Sequence, residues 1–466
     1  MTLKAVELET ELIETVCARV RDRLPGQQAT GCQEFVRQYY HWVPAEDLAD
    51  RSELDLYGAA VAHWNLAQQR SPGETKVHVY NPDFEQHGWQ SPHTVVEIVS
   101  DDVPFVVDSV TMELSRQEYG IHLVIHPVIR VRRDAGGRLI DLLEPGAEAS
   151  DAIGESILHA EVDRAPDREP LDRLRAGVER ALGQVSAAVE DWQAMRAKAR
   201  ALTVELDRRP VPGDPVDPAE QREAKAFLDW LADDNFTFLG YREYNLVVER
   251  GQARLRAIPG SGLGILGGEP ATAPKPLTPR GRELAFSRHV LVLTKANSRA
   301  TVHRPAYMDY VGVRKFGADG EVTGERRFLG LYTARAYKAS PREIPMLRGR
   351  VERVMERAGF PPDSHDAKVL TGILESYPRD ELFQLKAEEL FEIAMGLLGL
   401  GERQRVRLWV SRDVLDRFVS CLVTIPRDRF NTENRECVEQ ILKHAFGATN
   451  VDYTIQVTES VLVRLH

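Results

Sequence analysis

The chain has 466 residues, 43% of them hydrophobic and 28% charged, and a formal net charge of -11. That length exceeds one ordinary core and implies two to four domains, the balance of residue classes excludes a disordered polymer, and the acidic excess argues against nucleic acid or an anionic membrane as a general partner. No apolar run approaches the roughly 18 residues needed to span a bilayer, and Cys17, Cys32, Cys421 and Cys437 are scattered without a C-x-x-C pair, a pattern that suits a reducing cytoplasm rather than a disulfide framework or a zinc site.

The opening MTLKAVELETELIETV is an acidic amphipathic helix pattern and lacks the basic and apolar regions of a signal peptide. Helical spacing continues to about residue 70, through LDLYGAAVAHWNLA, and closes at Ser71-Pro72-Gly73. The period then changes. Thr94–Ser100 (TVVEIVS) reads as a strand, Asp101-Asp102-Val103-Pro104 as a helix start with a carboxylate at the N-cap, and Phe105–Tyr119 as the helix, ended by Gly120. A long β-rich run from Ile121 to Arg133, Leu139–Leu143 and Ser156–Val162 follow, then a charged helix from Leu171 to about Leu206. Strand, helix, strand, hairpin, strand is the order of a small α+β sandwich over residues 71–209.

Residues 210–218, rich in proline, form the clearest linker. Beyond it come a helix from Pro218 to Asp233 and a β-dominated module over 219–340, with strands at Phe236–Leu246, Arg254–Ile258, His289–Thr294, Tyr310–Phe316 and Arg326–Tyr332 and a hairpin turn at Ala318-Asp319-Gly320. Residues 341–378 read as helices. In 379–466 the expected order is a strand at Leu382–Leu385, a helix at Ala387–Leu398, strands at Arg405–Ser411 and Arg417–Pro426, a helix at Glu433–Phe446 and a strand at Asn450–Thr458. That order is ferredoxin-like, βαββαβ. The apolar stretch Val461–Leu465 starts another strand, so the chain reads as a fragment of something longer.

Several short patterns invite chemistry. Gly262, Gly264 and Gly267 in GSGLGILGG satisfy the G-x-G-x-x-G of a dinucleotide turn, but four prolines between Pro270 and Pro279 exclude the helix that must open there, so no cofactor is expected in this segment. His122 and His126 sit at even spacing and would share one face of a strand. No carboxylate or cysteine cluster lies near them in sequence, and no metal site is expected. Hydrolase, kinase and zincin signatures are missing, so no catalytic residue is assigned. Asp101, Asp102, Val103 and Pro104 form a candidate amino-acid site: free N–H groups at the helix start would take a carboxylate and the aspartates an ammonium. The alternative is an ordinary charged cap. Lys295, Arg299, His303, Arg304, Arg314 and Lys315 form a locally basic stretch. Within it Arg299, His303 and Arg304 are the second candidates for an anionic effector, against pairing with acidic surfaces of the chain itself.

Four longer stretches, SDDVPFVVDSVTMELSR (100–116), TVHRPAYMDYVGVRKF (301–316), GERRFLGLYTARAY (324–337) and DRFVSCLVTIPRDRFNTENR (416–435), resemble in that order the N-terminal part of the large bacterial NAD-dependent glutamate dehydrogenases. The resemblance implies a multi-domain α+β segment of ACT-like modules, a β-rich ACT/PAS-like module and helical connectors. It implies a role in regulation and oligomer assembly, with an amino-acid effector and with NAD and catalysis (glutamate to 2-oxoglutarate and ammonia) residing in a dehydrogenase domain further along the polypeptide. One departure from the family concerns the effector: ACT modules that bind amino acids commonly have glycine after D-x-P, and here Phe105 follows Asp102-Val103-Pro104. A free-standing amino-acid sensor regulating another enzyme is the alternative function.

Overall fold

The computed structural model describes residues 3–49, 51–147, 149–208, 217–268, 276–401, 403–457 and 460–466. Most of the expected linker, and part of the proline-rich loop after Gly268, lie outside the described residues. The fold divides into two compact units. One comprises the chain up to Glu190 together with Ala300–Ala306, the other Asp191–Arg299 with Tyr307–His466. Among the described residues no helix is long and apolar enough to cross a membrane.

The first unit opens with helices α1 (Leu3–Arg23), α2 (Gly26–Tyr40), α3 (Ala45–Ala49) and α4 (Glu53–Ala67). Ser52 caps α4 by accepting from the Asp55 N–H at 3.1 Å, the expected work of a serine at that position. Gly58 within α4 is required by packing, because a Cβ there would lie 2.2 Å from the Cβ of buried Trp89. There follow β1 (Lys76–Tyr80), α5 (Phe84–His87), β2 (Thr94–Asp101), α6 (Val106–Arg116), β3 (Ile121–Ile125), β4 (Val128–Arg133), β5 (Leu139–Leu142), β6 (Ile153–Val162) and α7 (Arg168–Arg208). The sheet runs β1-β2-β6-β4-β5 with β3 also on β6, and its pairings are antiparallel. Strand β2 is buried along nearly its whole length because helices cover both faces. Phe35, Tyr39 and Trp64 from α2 and α4 share a core with Val99, Ile129 and Ile157. On the other face α6 packs on β3 and β6, and α7 comes so close to α6 that a Cβ at Gly177 would fall 2.2 Å from Glu113 Oε1.

The second unit takes the C-terminal half of α7, whose Met195, Ala199 and Leu202 enter its core, and α8 (Pro218–Trp230), which ends in a π turn over Leu231–Asn235. Its larger sheet contains β7 (Phe236–Glu249), β8 (Gln252–Ala257), β9 (Leu263–Gly264), β10 (Leu291–Arg299), β11 (Tyr307–Phe316) and β12 (Val322–Tyr332) in the order β10-β11-β12-β7-β8, with β9 on β7 and α9 (Pro279–Phe286) between β9 and β10 in sequence. Helices α10 (Ala334–Lys338), α11 (Arg348–Ala358), α12 (His365–Ser376), α13 (Arg379–Leu382) and α14 (Ala387–Leu400) follow. Phe227, Phe236, Phe328 and Tyr332 meet Leu370, Leu374, Leu390 and Ile393 in one core. The chain then forms β13 (Arg407–Arg412), β14 (Val419–Pro426), α15 (Thr432–Phe446), β15 (Ile455–Gln456) and β16 (Leu462–Leu465), with sheet order β13-β14-β16-β15.

The α+β class and the alternation of helical and β-rich regions match the sequence reading. Three local expectations fail. Leu382–Leu385 is no strand: α13 occupies Arg379–Leu382, started by Pro378 and an acidic first turn, so the last sheet has the order ββαββ rather than βαββαβ. The run Ile121–Arg133 breaks into two strands at His126-Pro127, where proline removes a ladder donor. Of the strand expected over Asn450–Thr458, whose last residue lies outside the described ones, only Ile455–Gln456 forms among the described residues. Strand β1, helices α9 and α10 and the short β9 were not anticipated.

Candidate effector turn and a buried histidine–glutamate row

Asp101 closes β2, and its carboxylate accepts from the guanidinium of Arg70, a fully buried side chain. Arg70 also donates to buried Glu155 at 2.7 Å and to the Glu74 carbonyl at 2.7 Å. Asp101 is thus part of the frame that holds the turn. Asp102 donates its backbone N–H to Gly154 O at 3.1 Å and leaves its side chain exposed; Val103 is half-buried and Pro104 exposed. Neither aspartate caps the helix. The capping position belongs to Phe105, at φ 75° and ψ 3°, the left-handed conformation that a glycine there would adopt freely. Its carbonyl accepts the first intrahelical bond, from Ser109 N–H at 3.0 Å.

The ring of Phe105 is half-buried against His303, with centroids 4.8 Å apart. His303 lies on the excursion Ala300–Ala306, which closes on itself through Ala300 N–H to Ala306 O at 2.8 Å and buries Val302. It too has a left-handed backbone, φ 77°. Its N–H donates to Ser109 Oγ at 3.2 Å, and its Nδ1 stands 3.6 Å from the Asp108 carboxylate. Two non-glycine residues in a sparsely populated conformation, each costing about 1–2 kcal/mol, therefore meet at the start of α6. Two candidate groups nearly 200 residues apart in sequence, Asp101–Pro104 and His303-Arg304, fall in the same unit.

The rest of the basic stretch disperses into internal pairs. Arg299, in the second unit, bonds the Asp452 carboxylate and lies over the Tyr307 ring at 5.2 Å. Lys295 bonds Asp309 at 2.6 Å and Asp380 at 3.1 Å, Arg314 bonds Glu325 at 2.8 Å, and Lys315 lies 3.5 Å from Glu243. The glycine segment is equally occupied. Gly264 pairs with Gly240 of β7 and donates its N–H to the Asp191 carboxylate at 2.7 Å, while Arg242 caps the carbonyls of Leu266 and of Gly268, the latter at 2.7 Å. A dinucleotide turn needs its N–H groups free and a helix opening behind them; the next described helix, α9, begins at Pro279. His122 and His126 do not act together: the register shifts between Ile121 and Leu123, β3 ends before His126, and the two bind Asp163 at 2.7 Å and Ser156 at 2.8 Å.

A polar row in the same unit escaped the sequence reading. His78, Glu97 and His159 are cross-strand partners on β1, β2 and β6, and α4 sets His63 over them. One donor atom from each of His63, Glu97 and His159 lies within 4.8 Å of the other two, and all three residues are completely buried. His63 contacts Ile98 O through Nε2 at 3.1 Å and Tyr39 Oη through Nδ1 at 3.3 Å; burial pushes its imidazole down to about 4. Glu97 accepts from Tyr80 Oη at 3.2 Å and lies 3.4 Å from His78 Nδ1. Burial opposes its ionisation, yet the hydrogen bond from His78 and the neighbouring histidines outweigh it and hold the carboxyl below its usual range. His159 meets Glu161 through Nε2 at 3.4 Å. Glu161 is itself bound by Arg51 and by His93 at 3.0 Å. The signal was present: a glutamate inside TVVEIVS and a histidine inside AVAHW are polar groups in apolar runs, and buried polar groups need partners.

A two-unit α+β chain with a helix-covered antiparallel sheet and a strand-to-helix turn at its edge belongs to the class of proteins built on ACT modules. Three domain families match it: "Glutamate dehydrogenase, ACT1 domain" over residues 35–178, "Glutamate dehydrogenase, helical motif 1" over 344–403 and "Glutamate dehydrogenase, ACT2 domain" over 407–466. Similar proteins include the NAD-specific glutamate dehydrogenases of Halomonas elongata (41% identical over 464 residues, 98% of this chain and 29% of the relative), Pseudomonas aeruginosa (37% over 434 residues, 92% and 27%) and Mycobacterium tuberculosis (30% over 426 residues, 91% and 24%). The chain is homologous to the N-terminal part of the large NAD-specific glutamate dehydrogenases and carries their ACT1, helical-motif and ACT2 domains. It spans less than a third of the length of these relatives.

Proposed function

We propose that this chain is the regulatory and assembly segment of an NAD-dependent glutamate dehydrogenase and contributes no catalytic residue. The whole protein would oxidatively deaminate L-glutamate to 2-oxoglutarate and ammonia, with NAD held elsewhere in the polypeptide. Its modules are residues 71–209 behind an N-terminal helical segment, 219–340 after a linker, and 379–466 after a helical connector. The effector is an α-amino acid at the β2–α6 turn: its ammonium meets Asp102, its carboxylate the free N–H groups at the start of α6, and Phe105 with His303 and Arg304 closes over it. Arg299 is set aside, because Asp452 already occupies it. The observation that carries this reading is the contact of two left-handed non-glycine residues, Phe105 and His303, at that helix start; such strain collects where a site must rearrange. Assembly falls to the last module, whose strand β13 pairs among the described residues with β14 alone and leaves Leu408 and Val410 nearly half exposed, a template for pairing with a second copy. Four free thiols, two of them buried, fit a cytoplasmic protein.

Thermal unfolding of the chain against single amino acids, with NADH as control, tests the effector. A ligand at about 100 times its Kd stabilises the unit it binds by about 2.7 kcal/mol. A rise with one amino acid that Asp102→Ala removes is the expected result. No rise with any amino acid in a folded sample leaves assembly alone, and a rise with NADH alone would overturn the reading of the glycine segment.

A further inference from the structure

We propose that His63, Glu97 and His159 hold one divalent first-row transition-metal ion, of the zinc class, inside the first unit. Two imidazole nitrogens and one carboxylate oxygen are a donor set that such ions take, with a further position left for water. The three donor atoms already lie within 4.8 Å of one another, a separation that a shared ion with bonds of about 2.0–2.2 Å would draw in.

The surroundings are those of a ligand shell. Histidine ligands usually donate their remote N–H to a carbonyl or carboxylate, which sets the tautomer and the ring orientation. His63 meets Ile98 O through Nε2 and His159 meets the Glu161 carboxylate through Nε2, which makes Nδ1 the acceptor nitrogen on both rings; on His63 it faces the Tyr39 hydroxyl at 3.3 Å, a contact that a bound ion would replace. Glu97 is oriented by Tyr80 and His78. His159 Nδ1 has no hydrogen-bond partner, although its side chain is 1% exposed. The unpartnered nitrogen of His159 beside the buried Glu97 carboxylate sets acceptor against acceptor in a dry interior, where an unmet polar group costs about 1–3 kcal/mol. A cation among them removes that conflict. His78, with half of its side chain in solvent, reaches Glu97 from the edge of the sheet and marks the way in. The bound ion would tie α4 to β2 and β6, joining three elements whose ligands are separated by up to about a hundred residues of chain.

The test uses the purified chain, stripped with EDTA, desalted, and given Zn²⁺ or Co²⁺ alone. Elemental analysis after gel filtration should find one zinc per chain with a raised unfolding temperature, and Co²⁺ should give visible absorption bands of low-symmetry nitrogen and oxygen coordination. Glu97→Gln keeps the shape of the side chain and removes its charge; it should lower zinc affinity at least about 10-fold, the smallest loss seen for altered support of a metal site. His159→Ala should abolish the cobalt spectrum, and His122→Ala, at the exposed Asp163 pair, should leave both readouts unchanged. A folded chain that retains no zinc and gives no cobalt bands overturns the proposal without any variant. So does zinc retained undiminished by Glu97→Gln and His159→Ala, or lost on His122→Ala.

Discussion

The two ACT sheets of this chain solve burial in opposite ways. In the first, helices cover both faces, β2 is buried almost end to end, and polar and charged groups sit inside: Arg70, Glu97, Glu155, His159 and Glu161 are all buried. In the second, β13 alternates between exposed and half-buried positions, α15 has no buried residue, and Ile441 on it is 60% exposed. Among the described residues Val423, Ile425 and Leu465 form the small buried core beneath α15, with Phe430, Val438 and Leu442 packed partly buried against it. A sheet closed on both faces can commit buried ion pairs to a fixed shape, because water cannot compete for them. A sheet with an open face and edge has apolar surface still to cover, and such surface marks contact with another protein surface.

The largest expected effect lies in the closed sheet. Arg70→Ala removes a buried cation shared by Glu155 and Asp101; although Arg133 still reaches Glu155 at 2.7 Å, leaving a buried charge short of its partner costs about 3–5 kcal/mol. Urea unfolding of the first unit measures it, and a loss below about 1 kcal/mol would mean water reaches the pair. Next comes acid. The folded pKa of His63, about 4, lies below the ordinary value of about 6.5. Between those values the unfolded chain takes up a proton that the native state refuses, so stability is full above about pH 6.5 and falls by about 3 kcal/mol on the way to pH 4. Measured in EDTA, that slope should be present in the native chain and reduced in His63→Leu; equal slopes would remove His63 as its origin. The smallest effect belongs to the open sheet. Ile441→Ser should change stability by no more than about 0.5 kcal/mol, and a larger loss would show that α15 is packed more tightly than its exposure indicates.

Much of this could be read from period and punctuation. TVVEIVS, FVVDSVTMELSR and CVEQILKHAF carry their two- and 3.6-residue rhythms openly, and β2, α6 and α15 stand where those rhythms put them. Leu382–Leu385 misled because a short apolar run does not distinguish strand from helix; the deciding cue was the acidic turn after Pro378. The candidate turn was only half legible. That Asp101–Pro104 joins a strand to a helix follows from local pattern, but the left-handed φ of Phe105 carries no glycine to announce it. The approach of His303 to Ser109 and Phe105 is a tertiary event with no local signature. The histidine–glutamate row depends on register: Glu97 faces His159 only because β2 and β6 pair as they do.

The excursion Ala300–Ala306 imposes an order on synthesis. Val302 fills a fully buried position in the first unit, and His303 bonds Ser109 across 194 residues of chain, yet this segment leaves the ribosome more than a hundred residues after Glu190. At about 5–20 residues per second the nascent first unit waits on the order of 5–20 s for its last piece. During that interval the start of α6 lacks the cover that His303 gives the Phe105 ring in the folded unit.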